Sequence, residues 1–196
     1  MRKNSSFSFV TEIDSDVEKI IRQCNYGDMG ILALSDNILF PGTVTPVTIG
    51  RKKSLNVLKK ADKAGLFVAA FAQKSPDTDD PTMDDLYHVG TVCRIVHLMK
   101  LPDGNHNALL QAVNRVGLDS LEETHDGLTG HVTAIPEIKS TANETELEIT
   151  IGMIRERIKQ LSSMTEDIPM EVIEFIKKMP TGVFFVNFIC TSFPFP

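Results

Sequence analysis

Residues 86–115, LYHVGTVCRIVHLMKLPDGNHNALLQAVNR, decide the fold. Two runs rich in Val, Ile, Leu and Thr flank Leu101-Pro102-Asp103-Gly104. Pro presets φ at the second turn position, Asp tolerates the third, and Gly ends a type I turn. The stretch therefore predicts a β-hairpin. A hairpin this long is not stable alone in water and needs a sheet or helix against its apolar face. The flanking sequence has to supply that cover.

Upstream, Gly30-Ile31-Leu32-Ala33-Leu34 reads as a short strand closed by Ser35-Asp36-Asn37. Ile38-Leu39-Phe40 then stand before the turn signal Pro41-Gly42. Thr43 to Ile49 reads as a second strand, which Pro46 assigns to a sheet edge because it has no N–H for a ladder. Apolar residues near an edge are the kind of surface that takes up an extended chain, and they are also ordinary core material. Between Arg51 and Gly65 the apolar positions Leu55, Val57, Leu58, Ala61 and Ala64 share one side of a helix that Gly65 stops. Its cations, Arg51, Lys52, Lys53, Lys59, Lys60 and Lys63, lie mainly on the other side, as a solvated face or an anion-binding one. Leu66 to Ala72, LFVAAFA, has the length and continuity of a central strand buried on both faces.

An acidic loop follows, with Asp77, Asp79, Asp80, Asp84 and Asp85 and no cation among them. It lacks the Gly and Glu of a calcium-binding EF-hand, since Thr82 and His88 occupy those places, and reads as solvated. It accounts for most of the formal net charge of -6, so the rest of the chain is nearly neutral and shows no broad basic excess for nucleic acid. Downstream of the hairpin, Gly117 to Leu121 and Thr129 to Ile135 are two further short strand candidates, and Pro136 closes the β-rich part.

After Pro136 the period changes. Leu147, Ile151, Ile154, Ile158 and Leu161 recur at steps of four and three, the mark of an amphipathic helix that Thr141 or Asn143 caps. Asp167-Ile168-Pro169 opens another helix, with Val172, Ile173, Ile176 and Met179 on its buried side and Pro180-Thr181-Gly182 ending it. Val183 to Cys190 is strand-like by propensity and helix-like by length. Residues 1–27 are polar and acidic, and Val17, Ile20, Ile21 and Cys24 at helical spacing fit either a short helix or a tail. With 196 residues the chain fits one large domain or a domain with a subdomain.

The chemistry of catalysis is not nominated by any pattern. A phosphate-binding Gly-x-x-x-x-Gly-Lys-Ser/Thr fails at Val47 and Lys52, and Gly-x-Gly-x-x-Gly and Gly-x-Ser-x-Gly do not occur. The five histidines form no H-x-x-x-H pair, and Cys24, Cys93 and Cys190 suit neither a disulfide framework nor a zinc site. The chain is expected to be non-catalytic, without its own cofactor or metal. A reducing, cytoplasmic setting is expected too, with neither a signal peptide nor a membrane span in the sequence.

Five segments, taken together and in order, resemble the N-terminal domain of the Lon family of ATP-dependent serine proteases. The family's L-P-L-R-D-x-V-x-F-P is met by Leu32 to Pro41, and its V-G-R-x-x-S by Ile49-Gly50-Arg51-Lys52-Lys53-Ser54. Its Q-K matches Gln73-Lys74, its D-L-x-x-V-G-T-V-x-x-I matches Asp85 to Ile95, and its K-L-P-D-G matches Lys100 to Gly104. Ala33 and Ser35 depart from the usual Pro and Arg, and Gln111-Ala112 stand where Glu-Gly is common.

The resemblance implies an α+β fold: a PUA-like β-barrel or pseudo-barrel of about six strands with one helix, followed by a helical bundle. The expected organisation is an extension over 1–27, a β-rich subdomain over 28–137 and a helical subdomain over 138–196, with a third helix at Val183 to Cys190. It also implies capture of unfolded or degron-bearing proteins and support of a hexamer. ATP, Mg and the Ser-Lys protease would belong to modules outside this chain. Phe40, Pro41 and Val44, with Met99 and Leu101 near the hairpin tip, are the expected substrate contacts, made weakly and repeatedly by several copies. The alternative is a free-standing PUA-like module binding RNA or a small ligand, supported by the basic helix face alone.

Overall fold

The computed structural model describes residues 24, 26–102, 104–138, 141, 143–164 and 170–193. The expected extension thus lies mostly outside the described residues, as do Asp103 of the turn and Asp167-Ile168-Pro169. The chain separates into two compact units, one of Met1–Pro136 with Cys190–Pro196 and the other spanning Glu137–Ile189, which holds all but the last turn of the final helix.

The first unit contains β1 (Gly27–Leu34), β2 (Val44–Ile49), α1 (Lys52–Ala64), β3 (Val68–Ala72), β4 (Val89–Lys100), β5 (His106–Thr124) and β6 (Gly127–Ala134). They form one mixed sheet of six strands in the order β2-β5-β4-β3-β1-β6, with β6 also paired to β5. The pairings make a circuit from β5 through β4, β3, β1 and β6 back to β5, and β2 is attached outside it. β1 and β3 are parallel, whereas the other pairs are antiparallel.

The predicted hairpin is β4 and β5. Gly104, at φ 89°, donates its N–H to Leu101 O at 3.1 Å, and Leu101 N–H pairs with Asn105 O at 2.8 Å. One expectation is corrected here. The separate short strand at Gly117 to Leu121 is the continuation of β5, which runs 19 residues without a break. It pairs with β4 as far as Gly117 and with β6 from Val116 onward, so a change of partner rather than a turn occurs there. Bulges in both ladders absorb the bend this requires.

Alternation along the strands feeds two cores. On β1 and β3, Leu32, Leu34, Val68 and Ala70 face a core shared with Val57, Leu58 and Ala61 of α1 and with Val47 and Ile49 of β2. Ile31, Ala33, Ala69 and Phe71 face the other way, toward Leu86, Val92, Val116, Leu118 and Val132. β3 is Val68–Ala72, and both of its faces are covered, as the continuity of the run indicates; Leu66, expected in the same buried strand, precedes it and is 60% exposed. Gly65, at φ 64°, ends α1 by donating to the Ala61 and Asp62 carbonyls. β2 is the edge strand that Pro46 predicts, paired to β5 alone.

In the second unit, α2 (Glu144–Met164), α3 (Met170–Lys178) and α4 (Val183–Ser192) are helices, which resolves the open reading of 183–190. Asn143 caps α2, its side-chain oxygen accepting from Thr145 N–H at 3.1 Å. Ile151, Ile158, Ile173, Ile176, Met179 and Phe185 are buried. Phe175 and Phe188 meet edge to face with centroids 5.3 Å apart. The Arg155 guanidinium lies 5.1 Å from the centre of the Phe185 ring and donates to the Met179 carbonyl at the end of α3.

Candidate protein-binding surface

The segment 35–43 connects β1 to β2 and carries the first group of expected contacts. It is held at several points. Thr91 Oγ1 donates to Leu39 O at 2.7 Å, Thr43 Oγ1 to Phe40 O at 2.7 Å, and Gly42 N–H to Ala112 O at 2.9 Å. Gly42 takes φ 87°, a left-handed conformation that favours glycine. Fixed in this way, the segment turns Leu39 into the first core and Ile38 outward, 60% exposed. Phe40 and Pro41 are half-buried.

Val44 does not belong to this surface. It is 7% exposed, the first residue of β2 opposite Gln111, and it reaches a binding partner only if that end of the ladder opens. Met99 is 43% exposed on β4 and Leu101 is half-buried in the turn. The two groups are not brought together. Met99 pairs with Asn107 near the hairpin tip, whereas Gly42 is bonded to Ala112 farther along β5. Five residues of strand separate those anchor points, roughly 17 Å at 3.4 Å per residue. The expected contacts therefore fall in two separate places.

Around Phe40 the structure adds residues that sequence reading missed. Ile38, Phe40, Ala72, Val89, Gly90 and Arg115 border a shallow cavity of about 80 Å³, and Val89 is 58% exposed. Tyr87, 53% exposed, precedes it on the approach to β4. The signal for Ile38 was present in its alternation with Leu39. For Val89 there was none, because the start of a strand looks the same whether its first residue is covered or bare. Drug-sized ligands occupy pockets of about 300 Å³ and upward, so this cavity accommodates a side chain rather than a small-molecule ligand.

Three of the six cations of the basic face, Arg51, Lys53 and Lys60, are engaged within the fold. Arg51 donates to Thr78 O at 2.8 Å. Lys53 pairs with Asp80 at 2.7 Å and Glu123 at 2.5 Å, and Lys60 with Asp126 at 3.0 Å. Hydrogen bonding to Asp80 and Glu123 holds the Lys53 ammonium above its ordinary range, and the Lys53 hydrogen bond keeps Asp80 below the usual carboxylate range. The acidic loop is thus attached to α1 rather than simply solvated. It is folded locally as well: Asp85 accepts from the Thr82 N–H and hydroxyl at 2.8 and 2.7 Å, which lowers its pKa. These pairs offset part of the positive potential on which the RNA reading rested.

Among the described residues there is no group of three His, Cys, Asp or Glu side chains placed to hold a metal. Burial pushes the Cys24 thiol up to about 11, far from a reactive thiolate, and Cys93 is raised by burial and by the neighbouring Cys24. No described helix is long and apolar enough to cross a membrane.

A curled six-stranded sheet with one helix on it and a helical unit after it is the fold of Lon N-terminal domains. The N-terminal domain of the Mycobacterium avium complex Lon protease superposes with a TM-score of 0.57 at 15% identity, over 78% of this chain and 75% of that one. The chain itself belongs to the Lon family. The model of the ATP-dependent protease La (LON) substrate-binding domain matches residues 29–196. The chain is 34% identical to the Lon protease of Parabacteroides distasonis over 93% of its own length and 22% of that protein. It is 30% identical to that of Flavobacterium johnsoniae over 83% of its length and 20% of that protein. The chain spans about a fifth of the length of these curated relatives.

Proposed function

We propose that this chain binds unfolded or degron-bearing protein segments for an ATP-dependent protease, with apolar side chains of the client lodging beside Ile38, Phe40 and Val89. The observation that carries the reading is the pair of exposed apolar residues Ile38 and Val89 on either side of half-buried Phe40, in a family described as substrate-binding. A segment pinned by Thr91, Thr43 and Gly42 presents these residues without first having to be ordered, which lowers the cost of binding. A cavity of this size takes one side chain at a time, so single-site affinity is low. Six copies in one assembly would multiply it through effective concentration. In this reading Met99 and Leu101 form a second, separate contact, while ATP, Mg and the Ser-Lys protease chemistry lie in other modules of a cytoplasmic hexamer.

The test is fluorescence anisotropy with a labelled, permanently unfolded protein. Ile38→Ser together with Val89→Ser is expected to weaken binding about thirtyfold, since each exposed aliphatic side chain supplies on the order of 1 kcal/mol. Met99→Ser and Leu101→Ser report on the other patch. Binding unchanged by Ile38→Ser with Val89→Ser defeats the proposal.

A further inference from the structure

α2 is apolar on two sides. Ile151, Ile154 and Ile158 face the interior of the helical unit, with Ile151 2% and Ile158 5% exposed. On the opposite side Ile149 is 58% exposed, Met153 62% and Met164 81%. At about 100° per residue, Ile149, Met153, Gln160 and Met164 fall within about 60° of one another and form a second stripe. Glu156 and Arg157 stand on either flank at its midpoint, one acidic and one basic, both exposed. Glu156 reaches no closer than 3.9 Å to Lys159 within its own helix, and Arg157 donates to Gln160 at 3.0 Å.

From this arrangement the geometry points to a second copy of the chain, seated on this stripe with its α2 parallel and in register. A two-fold axis along the helices brings Met153 against its counterpart and sets the Glu156 flank of each copy against the Arg157 flank of the other, giving two reciprocal ion pairs. Antiparallel pairing instead opposes Glu156 to Glu156 and Arg157 to Arg157, so charge selects the orientation. The stripe extends about 22 Å, and one helix pair of that length falls short of the roughly 1,200 Å² of a stable interface. The contact is therefore weak between free chains and gains strength where subunits are already gathered. It is independent of the client-binding surface at Ile38 and Val89.

Two measurements on the full chain test it. Sedimentation equilibrium up to about 1 mM should show a monomer–dimer equilibrium whose dissociation constant rises about tenfold in Met153→Glu. It should rise several-fold in Arg157→Glu and recover in the double variant Glu156→Arg with Arg157→Glu. For register, Met153→Cys in a Cys190→Ser background should form an intermolecular disulfide with diamide at least about ten times faster than Glu148→Cys, which lies well off the stripe. A chain that stays monomeric, a dimer indifferent to Met153→Glu, a charge swap that fails to recover, or equal cross-linking at 153 and 148 each overturns the proposal.

Discussion

Gly90 sits where β4 begins, between exposed Val89 and the Thr91 that pins the 35–43 segment. A Cβ built there falls 2.4 Å from Ala70 O and 2.4 Å from Phe71 Cδ1. Ordinary contact begins near 3.4 Å, so the overlap is about 1 Å. Neither neighbour gives way cheaply. The carbonyl belongs to β3, which is paired on both sides, and Phe71 is fully buried in the second core. Overpacking a well-filled interior costs about 1–3 kcal/mol, and a rigid backbone neighbour puts Gly90→Ala at the upper end. At about 2–4 °C per kcal/mol for a chain of this size, the midpoint should fall by about 6–12 °C. Gly50→Ala is the control. Nothing lies within 4 Å of its Cβ and its φ is not positive, so it should leave the midpoint unchanged or raise it slightly. Thermal unfolding followed by circular dichroism reads both. Equal midpoints for the two variants would refute the packing described for β3 and β4.

Three further outcomes follow from other parts of the fold. Pro46→Thr gives edge strand β2 a backbone N–H that it now lacks, and concentration-dependent self-association in light scattering should increase. Asp80 titrates below its ordinary 3.8 and Lys53 above its ordinary 10.5, so their pairing stabilises the folded state between those values. It is lost as the pH falls below the first or rises above the second. Lys53→Met should accordingly lower the midpoint modestly at pH 7 in low salt and leave it unchanged at pH 2, because the pair is exposed and screened. Arg155→Met removes a donor from Met179 O and a cation from Phe185, and should destabilise the helical unit by about 1–3 kcal/mol, seen as earlier loss of helical ellipticity in urea.

Much of this was legible in particular residues. Pro46 marked the edge, the apolar run that ends in Val68–Ala72 marked a strand between two cores, and Pro102 with Gly104 marked the hairpin. These signals are local, since each depends on a backbone preference or on a period. The continuation of β5 past Arg115 was not legible, because a strand that changes partners keeps the same alternation on both sides of the change. Val44 could not be told from an exposed residue for a related reason: its burial depends on chain distant in sequence. The spacing of the expected contacts was not legible either. Phe40 and Met99 were expected as contacts with no distance between them read from sequence, and they attach near opposite ends of the β2–β5 ladder. The pairing of Lys53 with Asp80 and Glu123 was hidden for the same reason, since the partners come from three different elements.

Sharing β1 and β3 between two cores has a mechanical consequence. β1 is bonded to β6 over Gly27–Gly30 and to β3 over Gly30–Leu34, so tension applied along β1 loads each ladder in shear, and within a ladder the bonds share the load rather than failing one at a time. A strand seated in this way resists being drawn out of its sheet.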